Sequence, residues 1–299
     1  MTEEKPQIAF IGLGLMGAGF TKRLIELGYE VTGHDVDPAK MTAASEWGVK
    51  PAGSAAEAVQ EADVVQICVL ETSSVRDIVI GKGGIVETGR AGAVVVDHGT
   101  TVLDVTREMA EELERCCGMA WVDAPVSGGP SAAEDGSLAI MAGGSADAIV
   151  KVNNLMEGLS GVFTHMGDVG AGQITKMVNQ VLVLTNYCVI AEAVKLGEAG
   201  GVDVSKIPEA LATGHAGSNL LNALVPRIVE RDFQPMGRAK QILKDFDMLH
   251  DLTKGLEAPS PMADQARTLF RLLCARGHQD LDGTAVFKLY DEPPVEARS

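Results

Sequence analysis

The chain has 299 residues, 46% of them hydrophobic and 22% charged, which excludes collagen, a coiled coil and wholesale disorder; at about 150 residues per domain it predicts two domains. Its 25 basic residues face 41 acidic ones, and the resulting net charge of −16 excludes non-specific attraction to nucleic acid or anionic lipid, so any anionic ligand is held locally. The longest uncharged apolar stretches, 6–21 and 177–191, are broken by glycines and by amides and a threonine, respectively. Neither reads as a membrane span of roughly 20 mostly apolar residues.

The acidic start, Met-Thr-Glu-Glu-Lys-Pro, carries no secretory or transit pattern and leads straight into an expected strand. Five cysteines, an odd number without Cys-x-x-Cys or metal-ligand spacing, point to reduced thiols, no metal site and a cytoplasmic location. Short β-rich runs at 8–11, 30–33, 64–69, 94–96, 120–122, 138–141 and 162–165 alternate with helical patterns, the signature of a mostly parallel sheet wrapped by helices. After Gly170 the strand signal stops, and 171–199 shows helical spacing with no proline, enough for one helix of about 40 Å. Helical segments punctuated by proline and glycine follow. The expected domains are therefore 1–168, an α/β domain, and 169–299, all-α, with 292–299 as a loose tail.

Gly12-Leu13-Gly14-Leu15-Met16-Gly17 follows the first expected strand and opens a helix, the context in which glycines admit a dinucleotide pyrophosphate to free amides at a helix N-terminus. Asp35 lies eighteen residues after Gly17, at the end of the second strand, where a carboxylate accepts from ribose hydroxyls and repels a ribose phosphate. This pairing predicts a Rossmann domain that binds NAD rather than NADP. Val69 and Leu70 join the cofactor set; Lys40 is too far along to be assigned to a phosphate.

Two further motifs carry chemistry. Asp123-Ala-Pro-Val-Ser127-Gly128-Gly129 offers a hydroxyl and bare amides at the carboxyl edge of the sheet, where open α/β sheets bind ligands, although such a stretch alone is more often a plain loop. In Gly170-Ala-Gly-Gln-Ile-Thr-Lys176-Met-Val-Asn179-Gln180 a cation and two amides share one helix face at i, i+3 and i+4. Alone, such a lysine is also the solvated end of a helix.

Together these motifs resemble the β-hydroxyacid dehydrogenase family, which includes 3-hydroxyisobutyrate dehydrogenase, tartronate semialdehyde reductase and relatives of 6-phosphogluconate dehydrogenase. The resemblance runs from Phe10 to Gly17 through Asp123 to Gly129 and Gly172 to Lys176, and on to Lys244-Asp245. It implies a Rossmann domain followed by an all-α domain built round the long helix, in a homodimer or homotetramer. By the same likeness Lys176 is the catalytic lysine, Ser127 with Gly128 and Gly129 binds substrate, Asn179 assists with Gln180 adjoining, and Lys244 and Asp245 close over cofactor and substrate. Thr100, in Asp97-His98-Gly99-Thr100, stands near nicotinamide and substrate; many members have a serine where this chain has Gly99. Asn179-Gln180 replaces the two asparagines usual in 3-hydroxyisobutyrate dehydrogenases and is nearer the tartronate semialdehyde type.

The implied reaction is NAD-dependent interconversion of a small β-hydroxy acid and its semialdehyde or 3-oxo acid. The rivals are an imine reductase, which typically lacks the lysine, another aldehyde-reducing relative, 6-phosphogluconate dehydrogenase itself, which needs phosphate ligands and a longer α-domain, and a catalytically silent NAD-binding module. His98 either reaches the site or points into the sheet. Ser218 and Asn219 are weaker substrate candidates. The basic residues Arg227, Arg231, Arg238, Lys240 and Lys244 either face an anion or pair with neighbouring carboxylates.

Overall fold

The computed structural model describes residues 5–291; the expected loose tail, 292–299, and the first four residues lie outside them. Two compact units divide the chain, Met1–Lys176 and Met177–Ser299. The division falls inside a helix, Ala171–Ala199, whose first turns belong to the first unit.

The first unit is built on a sheet of nine strands among the described residues: β1 Ile8–Ile11, β2 Val31–His34, β3 Lys50–Pro51, β4 Val64–Ile67, β5 Val94–Asp97, β6 Ala120–Asp123, β7 Val126–Ser127, β8 Leu138–Gly144 and β9 Ser160–Gly167. Their order is β3-β2-β1-β4-β5-β6-β8-β7, with β9 pairing β8. From β3 to β6 every pairing is parallel. β8 then runs antiparallel to β6 and β7 and parallel to β9.

Alternation of side chains across the pleat explains why these strands read as continuous apolar runs. Ile8 and Phe10 of β1 enter one core, with Val64, Val94, Val96 and Val122; Ala9 and Ile11 enter the core on the opposite face, with Val65, Ile67, Val95 and Trp121. Helices cover both faces, so neither set of side chains meets water. Phe20, from helix Leu15–Glu26, is fully buried against the first face, and burial of such a side chain contributes about 1.5 to 3 kcal/mol.

The second unit is helical, as the spacing predicts. Met177, Leu184, Cys188, Ile190, Ala191 and Val194 of the long helix form one core with side chains from helices Asn219–Val229, Ala239–Gly255 and Pro261–Leu273. With a mean hydropathy of 1.4 over eighteen residues, helix Ala171–Ala199 is long and apolar enough to cross a membrane, which the stretch 177–191 read alone does not suggest; 39% of that window is buried inside the protein.

Candidate functional site

The carboxyl ends of β1, β2 and β4 open on a cavity of about 580 Å³, lined by Gly12, Gly14, Met16, Asp35, Val69 and Leu70 among others. A Cβ at Gly12 would lie 2.4 Å from the Cys68 carbonyl oxygen, at a φ of +96° that side chains rarely adopt; one at Gly17 would lie 1.9 Å from the Gly12 oxygen. Gly17 therefore allows the first turn of the helix to sit against the strand-to-helix loop, and Gly14, with open space around it, faces the cavity. Leu13 is 3% exposed and its side chain is in the core; its backbone N–H donates to Asp35 Oδ2 at 2.8 Å. Leu13 and Gly17 thus shape the loop, whereas Gly12, Gly14, Met16, Val69 and Leu70 line the cavity. Asp35 Oδ1 also accepts from the Asp37 N–H at 2.9 Å and lies 3.4 Å from Lys40 Nζ. Lys40 faces the same cavity, as do Ser74, Asp77 and Ile78 of helix Thr72–Ile80. Their i, i+3, i+4 spacing is the signal that could have found that face.

The second cluster lies where β5, β6 and β7 end. Lys176 is 9% exposed, and its Nζ donates to the Val126 carbonyl at 2.8 Å, one residue before Ser127. Ser127 is held on a two-residue strand paired with Ala139, an element too short to read between Pro125 and Gly128. The turn that carries Lys176 is fixed by Asp123, whose carboxylate accepts from Gly170 N at 2.7 Å and Gln173 N at 2.9 Å. Burial pushes the Asp123 carboxyl up to about 6 against these amide bonds, which favour its charged form. Asp97 Oδ1 accepts from the Gly99 N–H at 2.8 Å and Oδ2 from the Thr101 hydroxyl at 2.6 Å, holding the loop around the half-buried Thr100.

His98 points inward. It is 3% exposed, stacks on Phe20 with centroids 4.5 Å apart, and places Nδ1 3.0 Å from the Ala124 carbonyl and Nε2 2.9 Å from the Gln66 amide. Burial takes its imidazole down to about 4, so it is neutral at pH 7 and packs the sheet rather than facing a ligand.

In the second unit, Asn179 Nδ2 donates to Gln180 Oε1 at 3.0 Å, Gln180 Nε2 to Asp245 Oδ2 at 2.6 Å, and Lys244 Nζ lies 3.3 Å from Asp245 Oδ1. The four family positions form one network. The other basic residues are mostly paired: Arg227 with Asp282, Arg231 with Glu198 and Asp291, and Lys240 with Asp280. Ser218 caps helix Asn219–Val229 by accepting from Leu221 N at 3.0 Å.

Residues 7–167 match the model for the NAD binding domain of 6-phosphogluconate dehydrogenase, and residues 170–290 the model described as NAD-binding of NADP-dependent 3-hydroxyisobutyrate dehydrogenase. The chain belongs to the β-hydroxyacid dehydrogenase family. Within that family it is 34% identical to a probable mitochondrial 3-hydroxyisobutyrate dehydrogenase-like protein of Arabidopsis thaliana, over 91% of this chain and 83% of the relative. It is 32% identical to an NAD-dependent L-serine dehydrogenase of Pseudomonas aeruginosa, over 95% and 98%. A solved 3-hydroxyisobutyrate dehydrogenase of Mycobacterium tuberculosis with L-serine superposes with a TM-score of 0.87 at 29% identity, covering 97% of this chain and 100% of that one. For a β-hydroxyacid dehydrogenase the glycine cradle and the carboxylate of Asp35 fit the cofactor, which is NAD. What sequence reasoning missed in this dehydrogenase is the role of Asp123 and Gln173; both stood inside quoted motifs, but their partners lie 47 to 74 residues away along the chain.

Proposed function

We propose that this NAD-dependent hydroxyacid dehydrogenase interconverts a small β-hydroxy acid and its semialdehyde or 3-oxo acid, with Lys176 as general acid in reduction and general base in oxidation. The observation that carries the reading is the buried Lys176 ammonium beside Val126, at the threshold of Ser127-Gly128-Gly129. When bound, NAD would supply the acceptor for the hydride that leaves the hydroxyl-bearing carbon in oxidation, and NADH its donor in reduction. Lys176 exchanges the hydroxyl proton and polarises the carbonyl, while Ser127 and the Gly128 and Gly129 amides, assisted by Asn179, hold the substrate carboxylate. Thr100 orients substrate and nicotinamide, and by the family likeness Lys244 is assigned to the cofactor and Asp245 to the substrate. An acid-base lysine disfavours both the imine reductase and the silent module. The five cysteines are all free, which supports the cytoplasm as the proposed compartment. Exposed apolar side chains along one face of the long helix, Val178, Leu182, Val189 and Leu196, with Glu192 among them, support a homodimer or homotetramer.

A substrate panel tests the activity: NADH oxidation with tartronate semialdehyde, glyoxylate, succinic semialdehyde and sulfonated aldehydes, beside NAD reduction with 3-hydroxyisobutyrate, serine and threonate. Turnover of at least one carboxylate-bearing substrate is expected, and inactivity on all of them combined with reduction of a cyclic imine overturns the reading. NADH is expected to be used with higher kcat/KM than NADPH, because the Asp35 carboxylate takes the place of a ribose phosphate, although Lys40 at 3.4 Å offsets part of its charge. Equal or better use of NADPH removes that role from Asp35.

Ser127→Ala is expected to raise the substrate KM about tenfold or more with little change in NADH affinity, since a hydrogen bond to a charged group is worth roughly 1.5 to 3 kcal/mol. Weakened NADH binding with an unchanged KM assigns the serine to the cofactor instead.

A further inference from the structure

We infer that Gln173 is a positioning residue that locks the Thr100 loop to the helical turn bearing Lys176, an inference that rests on Lys176 exchanging the proton. Gln173 is 2% exposed and stands one turn before Lys176, on the same helix face. Its Nε2 donates to the Gly99 carbonyl at 2.9 Å, and its Oε1 accepts from the Thr101 N–H at 3.0 Å. These groups flank Thr100, so one side-chain amide imitates the two bonds that a residue makes in a parallel ladder and fixes the backbone on both sides of Thr100. Its own N–H donates to Asp123. A single residue thereby joins the end of β5, the end of β6 and the start of the long helix.

At pH 7 the glutamine amide holds a donor and an acceptor on separate atoms of one uncharged plane, whereas an ionised carboxylate only accepts and asparagine is one methylene short of this reach. Gly99 contributes no hydroxyl that could take over the task. A displacement of about 1 Å between reacting groups costs on the order of 100-fold in rate, so a loop that is merely near its place is not enough.

Gln173→Ala is expected to lower kcat about tenfold to 100-fold with NADH affinity within about threefold of wild type. Gln173→Glu supplies a signature that a purely structural amide lacks. Its carboxylate has no donor for Gly99, whereas its protonated form restores both bonds, so its kcat relative to wild type is expected to rise as pH falls. The same ratio for Gln173→Ala stays flat. Folding is followed by thermal unfolding, and if the alanine variant does not fold, the glutamate profile decides alone. A folded alanine variant with wild-type kcat, or a flat glutamate profile, overturns the positioning role. Lys176→Met is assayed alongside: if it keeps its turnover, the proton-exchange reading and this inference fall together. If it is inactive while the Gln173 variants keep full kcat, only the inference falls.

Discussion

Lys176→Met and Lys176→Ala are expected to lower turnover about 100-fold or more while NADH still binds, general acid-base contributions being typically 10²- to 10⁴-fold. The ammonium is buried and held by the Val126 carbonyl, so its removal takes away the proton donor and the charge that polarises the substrate oxygen at once. Methionine keeps most of the length but leaves the Val126 carbonyl without this donor, at a cost of about 1 to 3 kcal/mol in stability. Denaturant unfolding of the same variant separates that cost from the kinetic one. Steady-state kinetics and a fluorescence titration with NADH form the decisive pair. Near-normal turnover removes the lysine from the mechanism, and with it the strongest residue-level argument for proton exchange at this position.

The second large effect is a hidden opposition in the acid range. His98 titrates at about 4 in the fold against an ordinary 6.5, so its stabilising contribution is complete above pH 6.5 and is lost as pH falls towards 4. Asp123 is the reverse case, at about 6 against 3.8: its contribution is complete below pH 3.8 and is lost as pH rises through 6. Each amounts to about 3 kcal/mol, and between pH 6 and 4 their slopes cancel. Asp123→Asn is therefore expected to steepen the loss of stability from pH 6 to 4 by about 3 kcal/mol relative to wild type, and His98→Gln to lessen it by a similar amount. Denaturant midpoints at pH 4, 5, 6 and 7 measure both. Parallel profiles for wild type and Asp123→Asn show that Asp123 does not titrate in this window.

The boundaries of the strands show where sequence stops speaking. The apolar runs end before His34, Asp97 and Asp123, yet the ladder includes all three, because backbone pairing is indifferent to the polarity of the side chain that rides on it. Asp97 and Asp123 are buried and anchor the loops of the candidate site, so the residues that look like strand breakers are those that build it. β3 and β7, two residues each, have no period to detect. Nor does hydrophobic patterning reveal that β8 runs antiparallel to β6, since strand direction leaves alternation unchanged. The glycine cradle and Asp35 were legible because the motif is local. Gln173 was not, because a glutamine declares its task only through its partners.

One edge of the sheet closes on Lys50 and Pro51. A proline has no N–H to offer a further strand, and the charged lysine beside it, paired with Glu30 at 2.6 Å, makes a poor seat for an apolar one. This border is a stop codon for β-polymerisation written in two residues: a foreign strand arriving there finds no ladder to continue. Replacing Pro51 by valine would reopen the template, and the consequence would be read as turbidity on storage rather than as lost catalysis.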